Sequence, residues 1–329
     1  MRVSVHLVQP RYDTEGLHLL RSQLHADIAL TAGPNPPDPA DYQILVAGRP
    51  QRQHITASPN LQALVIPWAG LPEPTRRLML DFPHIAVHNL HHNALPVAEH
   101  AIALLLAAMK LIVPMDRSLR SHDWSPRYQY KPSLLVSGKR VLILGFGAIG
   151  RHVAALCRGL GMEVTAIQRR AEPSASGTPE EIRIATPEEL HRLLPGTEVL
   201  FVCLPHTSET TGIIGAEELS LLPTGAVLIN VARGPIVDEA ALYRALSEGK
   251  LFAAGLDVWY HYPADEETRS RTPPANHPFH ELDNVVMSPH RAGHTEETER
   301  LRMEHLAELL NAAARGEPMP NRVDLQAGY

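Results

Sequence analysis

The sequence predicts a two-domain α/β fold on parallel sheets. Three observations predict it. Short apolar runs alternate with helix-spaced segments, a glycine-rich turn joins one such run to one such helix, and 329 residues exceed what one core usually serves. Apolar residues make up 44% of the chain, enough to fill two cores.

Residues 2–8 alternate apolar and polar and read as a first strand, not a signal peptide. Residues 14–25 have helical spacing, and 43–47, 61–67 and 85–88 are apolar runs bounded by Pro, Gly or Asn, hence strands. Pro96 opens a helix to about residue 112. It is apolar nearly all round, so it must be buried on several sides, as between two domains; we read it as the bridge out of the first. Six more strands follow at 140–144, 163–168, 198–204, 226–231, 252–258 and 284–288, with helices between most of them. Residues 173–179, rich in Ser, Pro and Gly, are expected to be a surface loop. Thr295 is the expected N-cap of a last helix running to Ala314 and stopping before Gly316.

Net charge is −6 with no basic run, which argues against nucleic acid as a partner. The most apolar stretch, 101–113, is interrupted by Lys110 and is too short for a bilayer, so no membrane partner is expected either. Cys157 and Cys203 lie in apolar segments and read as buried thiols of a cytoplasmic protein. His84, His88, His91, His92 and His100 match no standard ligand spacing, and no metal is expected.

The strand 140–144 runs straight into Gly145-Phe146-Gly147-Ala148-Ile149-Gly150 and then a helical pattern. Gly145 permits the turn off the strand, Gly147 lets the backbone approach a diphosphate, and Gly150 lets helix and strand pack closely. Bare N–H groups at the helix start favour an anion. Between strand and helix, this pattern predicts a dinucleotide site. The next strand ends in Gln168, Arg169 and Arg170, where an NAD site usually offers a carboxylate. Arginines attract a 2′-phosphate, so NADP is expected over NAD.

Four further segments resemble the D-isomer-specific 2-hydroxyacid dehydrogenase family. They are Asn93-Ala94-Leu95-Pro96-Val97-Ala98-Glu99, Asn230-Val231-Ala232-Arg233-Gly234-Pro235-Ile236-Val237-Asp238, Ala254-Gly255-Leu256-Asp257-Val258 and Ser288-Pro289-His290. The resemblance implies a Rossmann dinucleotide-binding domain (95–292) inserted into a flavodoxin-like substrate domain (1–94 and 293–329), with substrate in the cleft and a homodimeric assembly. It implies that Arg233 grips a small carboxylate substrate and polarises its 2-oxo group, and that His290 donates the proton to the carbonyl oxygen. Trp68, Ala69, Gly70 and Leu71 match the loop whose amides hold the carboxylate, and Asn93 a position near substrate. Leu204, Pro205, Val231, Ala232, Asp257 and Gly293 match cofactor contacts.

The chain departs from the family in one place. Where the family has the Glu that pairs with the catalytic His, this sequence has Tyr262, followed by Pro263. A neutral phenol can orient an imidazole but cannot stabilise its charge as a carboxylate does. Three readings follow, in order of preference: Tyr262 replaces the Glu by a hydrogen bond and leaves His290 less basic; Asp265 or Glu266 swings in; or the chemistry needs no proton donor. Residues 264–277 look like an inserted loop, either a lid or partner contact or a solvated excursion. Arg49 could face the substrate, and Trp124 and residues 128–130 lie on a loop that could reach substrate or a second subunit. The activity expected is NAD(P)H-linked reduction of a small 2-oxoacid such as glyoxylate or hydroxypyruvate, or its reverse. The alternatives are a formate- or phosphite-type dehydrogenase and a dinucleotide-binding regulatory protein.

Overall fold

The computed structural model describes residues 2–8, 14–129, 132–169 and 182–329. The chain divides into two compact units, Met1–Asn93 with His294–Tyr329, and Ala94–Gly293. Among the described residues no single helix is long and apolar enough to cross a membrane.

The first unit opens with β1 (Val3–Leu7), α1 (Thr14–Gln23), β2 (Ile28–Ala32), β3 (Ile44–Val46), α2 (Arg52–Thr56), β4 (Ala63–Ile66), α3 (Glu73–Leu80) and β5 (Ala86–Asn89). Its strands form an all-parallel sheet in the order β2-β1-β3-β4-β5, the flavodoxin-like order. β3 and β4 are fully buried, which is why they read as continuous apolar runs. The sequence reading missed β2, a half-buried edge strand whose Ile-Ala-Leu-Thr-Ala lacks the alternation of a one-sided strand.

The second unit begins with α4 (Ala94–Met109), α5 (Ile112–Arg120) and α6 (Ser125–Tyr128). It continues with β6 (Arg140–Leu144), α7 (Ala148–Gly159), β7 (Glu163–Ile167), β8 (Arg183–Ala185), α8 (Leu190–Leu193), β9 (Val199–Val202), α9 (Ala216–Leu221) and β10 (Ala226–Asn230). It closes with α10 (Glu239–Ser247), β11 (Leu251–Leu256) and β12 (Val285–Met287). The seven strands are parallel, in the order β12-β11-β10-β9-β6-β7-β8. The order reverses between β6 and β9, and the mouth of a doubly wound sheet opens beside the carboxyl ends of such a pair. Last, α11 (Thr298–Ala314) returns to the first unit and buries Leu306, Leu309 and Leu310 against β1 and β3 side chains.

Three expectations are corrected. The helix begun near Pro96 ends at Met109, because Leu111 adopts φ 54 and α5 leaves at 66° to α4. Its buried residues pack inside the second unit, with Leu104, Leu105 and Met109 in one core with Val153, Cys157 and Ile143. The last helix begins at Thr298, not just after Thr295. Thr295 heads a separate turn, its N–H bonding the Thr298 hydroxyl at 2.8 Å. Residues 125–128 form the short helix α6, with Trp124 and Tyr128 exposed; Tyr130 lies outside the described residues.

The segment 264–277 is tied down. Glu239 at the start of α10 accepts hydrogen bonds from Asn276 N (2.6 Å), Asn276 Nδ2 (3.0 Å) and His277 N (2.8 Å). Pro274 O accepts from the amides of Tyr260 and His261 at 3.1 and 2.9 Å.

Candidate active site

The glycine turn sits at the carboxyl end of β6, where the sheet order reverses. Gly145 has φ +98, and a Cβ there would lie 2.7 Å from Cys203 O, in the segment leaving β9. Only glycine allows both the left-handed backbone and this approach. A Cβ on Gly150 would meet Gly145 O at 2.0 Å, so α7 is drawn back onto the turn. Gly147 differs: its backbone is extended, and a Cβ there would meet nothing within 4 Å. The turn therefore leaves open space in front of a helix start that no side chain caps. Ala148 and Ile149 are half-buried there. Such a cradle fits a diphosphate, held by main-chain N–H groups and the positive end of the helix dipole.

The flanking positions complete this rim. Gln168 is half-buried, with its N–H bonded to Ala185 O at 3.0 Å. Arg169 is exposed, 3.7 Å from Glu209 Oε2; Arg170 lies outside the described residues. Leu204 and Pro205 leave β9 half-buried, and Pro205 O accepts from the Thr210 hydroxyl at 2.7 Å. Val231 and Ala232 are buried just beyond β10, and Gly293 is half-buried at the end of the unit.

Arg233, Tyr262 and His290 follow β10, β11 and β12, three adjacent strands, at the same edge of the sheet. Asn230 shapes the first turn: its Oδ1 accepts from Ala232 N (3.0 Å) and its Nδ2 donates to Arg233 O (3.0 Å). A Cβ on Gly234 would lie 2.4 Å from Trp259 O, so this turn rests directly on the backbone leading to Tyr262. The exposed Arg233 guanidinium donates from Nη1 to Ala232 O at 2.6 Å.

Tyr262 and His290 meet. The phenol oxygen lies 2.9 Å from His290 Nδ1 and accepts the Trp259 N–H at 3.2 Å. Burial raises the Tyr262 pKa above its ordinary value; Asp257 adds to the rise, while the Trp259 N–H and Arg233 oppose it. The phenol is therefore neutral near pH 7. Its oxygen can donate to a neutral imidazole or accept from Nδ1–H of an imidazolium, whereas a carboxylate only accepts. His290 itself has φ 55, a conformation non-glycine residues rarely adopt.

Asp257 is the buried anchor of that loop. Only 1% of it is exposed. Its Oδ1 accepts from Ser288 Oγ (2.5 Å) and Arg291 N (2.9 Å), and its Oδ2 from Ala292 N (3.0 Å). Trp259 Nε1 donates to Ser288 O at 2.8 Å. The sequence reading assigned Asp257 to the cofactor; in the structure both its oxygens are engaged by the loop that carries His290. Reading by sequence missed Trp259, Ser288 and Asn230, whose only signal was their nearness to Asp257, His290 and Arg233 in the chain.

The remaining candidates belong to the first unit. Trp68, Ala69, Gly70 and Leu71 follow β4 and are half-buried. Trp68 O accepts from Leu90 N (3.4 Å) and Ala69 O from Asn89 Nδ2 (2.7 Å). Asn93 Oδ1 is buried without a protein partner among the described residues.

A doubly wound sheet with a glycine cradle at its reversal, and an Arg, Tyr and His at the neighbouring strand ends, defines a Rossmann-type dinucleotide-binding fold. Comparison with known proteins takes the assignment further. Residues 102–292 match the family described as D-isomer specific 2-hydroxyacid dehydrogenase, NAD binding domain. The chain belongs to this family. It is 38% identical over 233 residues to a glyoxylate reductase of Aeropyrum pernix, covering 69% of this chain and 65% of that one. It is 36% identical over 233 residues to a D-3-phosphoglycerate dehydrogenase of Archaeoglobus fulgidus, covering 71% of this chain and 41% of that one. The match thus spans less than two thirds of either relative. A D-isomer specific 2-hydroxyacid dehydrogenase from Xanthobacter autotrophicus Py2, solved with NADPH and MES, superposes with a TM-score of 0.79 at 27% identity, covering 100% of this chain and 99% of that one.

Proposed function

We propose that the protein reduces a small 2-oxoacid, of the size of glyoxylate or hydroxypyruvate, to its D-2-hydroxyacid with NADPH, and runs the reverse oxidation. The observation that carries this reading is the Tyr262–His290 hydrogen bond beside the Arg233 turn. It supplies a titrating group and a fixed cation at the edge where the cofactor cradle opens. Bound at that cradle, the nicotinamide would supply hydride to the 2-oxo carbon.

The chain's own residues do the rest. Gly145, Gly147 and Gly150 with the first amides of α7 hold the diphosphate. Arg233 takes the substrate carboxylate and draws electron density from the 2-oxo group. His290 gives its Nε2 proton to the carbonyl oxygen as that oxygen gains charge, and Tyr262 holds the ring through Nδ1 in both protonation states. Trp68–Leu71 and Asn93 would serve the substrate from the first unit, which acts as the substrate domain.

NADP is the preferred cofactor, on the strength of Gln168, which stands where NAD-specific sites place a carboxylate, and of the exposed cation Arg169 that follows it. The protein acts as a homodimer in the cytoplasm. Supporting a dimer, Ile112, Leu119, Trp124, Tyr128 and Leu135 are all exposed on residues 112–135. Supporting a reducing compartment, Cys157 and Cys203 are both free thiols.

The test is a panel of glyoxylate, hydroxypyruvate, other 2-oxoacids, D-2-hydroxyacids and formate, each with both cofactors, followed at the nicotinamide absorbance. Turnover of a 2-oxoacid that His290→Asn abolishes supports the proposal. Cofactor binding without turnover, or turnover of formate alone, refutes it.

A further inference from the structure

The resemblance gave His100 no role, yet it lies in the second turn of α4 with Nε2 3.0 Å from Ser288 Oγ and 3.6 Å from Asp257 Oδ1. Ser288 has one hydroxyl proton, and the 2.5 Å contact commits it to the Asp257 carboxylate. Ser288 therefore faces His100 with a lone pair, and His100 Nε2 must carry the hydrogen. The order His N–H to Ser O–H to Asp is opposite to that of a hydrolytic triad, where the serine proton goes to the histidine. Ser288 is thus no nucleophile. It is the link through which α4 reaches the loop at 288–292.

That loop needs holding. His290 sits at φ 55, a left-handed conformation that non-glycine residues keep only where their surroundings impose it. Three residues later the second unit ends. The restraints are the Asp257 bonds to Ser288, Arg291 and Ala292 and the Trp259 bond to Ser288 O. His100 fixes the hydroxyl rotor that opens this series and sets a ring N–H beside a carboxylate buried from water.

We propose that His100 is a positioning residue for the proposed proton donor: by donating to Ser288 it keeps Asp257 aligned on the Arg291 and Ala292 amides, and so keeps His290 against Tyr262. This rests on the reading of His290 given above.

The experiment uses the full chain with NADPH and four variants, His100→Leu, His100→Gln, Ser288→Ala and the Leu/Ala double. The readouts are kcat for 2-oxoacid reduction, NADPH affinity by fluorescence, Tm, and amide exchange in residues 288–293. Loss of this part-buried hydrogen bond, which orders a buried carboxylate, predicts that His100→Leu lowers kcat by several-fold, up to about 10-fold. NADPH affinity should stay within about 2-fold, and exchange at Arg291 and Ala292 should rise. His100→Gln, which keeps a donor, should recover most of the rate. The double variant should lose no more than the worse single, because both break one link. Multiplied losses in the double, unchanged exchange in His100→Leu, or failure of Gln to rescue would each overturn the proposal. If His290→Asn keeps full activity, the proton-donor reading falls instead, while the exchange data still report on His100.

Discussion

Replacing Tyr262 with Glu should move the fall-off of 2-oxoacid reduction to higher pH. In the proposed reaction the imidazolium of His290 gives up the proton, so the rate drops as pH rises through the pKa of that group. The native partner is a phenol, already neutral near pH 7 and with its pKa raised further by partial burial, 2.9 Å from Nδ1. It offers a hydrogen bond but no charge. A Glu carboxylate, ionised above about pH 4.3, would add a coulombic attraction for the imidazolium alone. The shorter side chain sets the pair at roughly 4 Å, where two charges attract by about 1 kcal/mol in water and about 4 kcal/mol at an effective dielectric of 20. Tyr262 is 47% exposed, which favours the lower half of that range. An attraction of about 1–2 kcal/mol corresponds to roughly one pKa unit upward.

The assay is kcat/KM for the preferred 2-oxoacid from about pH 5 to 10 in wild type, Tyr262→Glu and Tyr262→Phe. The Glu variant should hold its rate about one unit further into the alkaline range. The Phe variant loses a hydrogen bond open to both protonation states. Its midpoint should stay put while kcat/KM falls about 3- to 10-fold. A midpoint unmoved by Glu would mean that the titrating group is not His290, or that residue 262 does not touch it in the working enzyme.

Four further outcomes follow from the geometry. Gly147→Ala should keep its Tm but weaken NADPH binding at least about 10-fold, because the new methyl enters space open to ligand; Gly150→Ala should lower Tm, because its methyl meets Gly145 O. Arg169→Ala should raise the KM for NADPH several-fold, on the order of one exposed charged contact, and leave that for NADH unchanged. Glu239→Ala should open residues 264–277 to limited proteolysis and lower kcat, since three hydrogen bonds to one carboxylate are lost. His92 is buried and its pKa is lowered to about 4, by burial first and then by Arg302, His305 and His91. The unfolded chain takes up that proton near 6.5, so stability should fall by up to about 3 kcal/mol as pH drops from 6.5 to 4, and His92→Phe should flatten this limb of a Tm–pH curve.

What could be read from the sequence was what local chemistry decides. β6 and the glycine turn were visible because a strand buried from Val141 to Leu144, three small residues and an amphipathic helix leave their marks within 20 residues. The break after Met109 was not. Residues 101–113 are apolar but for Lys110, and at the turn at Leu111 the contacts come from elsewhere: Leu134 N donates to Met109 O, and Lys110 Nζ to Leu134 O. β8 is three residues long beside a stretch with no readable period. At the site, residue types were legible through resemblance, but the partners were not. Ser288 bonds a carboxylate 31 residues away and a ring 188 residues away, separations at which no spacing rule operates.

The Tyr262 substitution and the 264–277 segment bear on each other. A carboxylate attracts an imidazolium from many directions, so it tolerates some freedom in the chain that carries it. A phenol offers only a directional hydrogen bond, which weakens steeply as its angle opens. A site that relies on the phenol must fix the segment from 259 to 262 more firmly. The chain does this from both sides: the Trp259 amide holds the phenol oxygen, and Pro274 O holds the Tyr260 and His261 amides. Glu239 in turn clamps Asn276 and His277. On the proposed function, Glu239→Ala should therefore cost more activity in the native Tyr262 background than in Tyr262→Glu, where charge supplies what alignment no longer does. Equal losses in the two backgrounds would separate the segment from the chemistry.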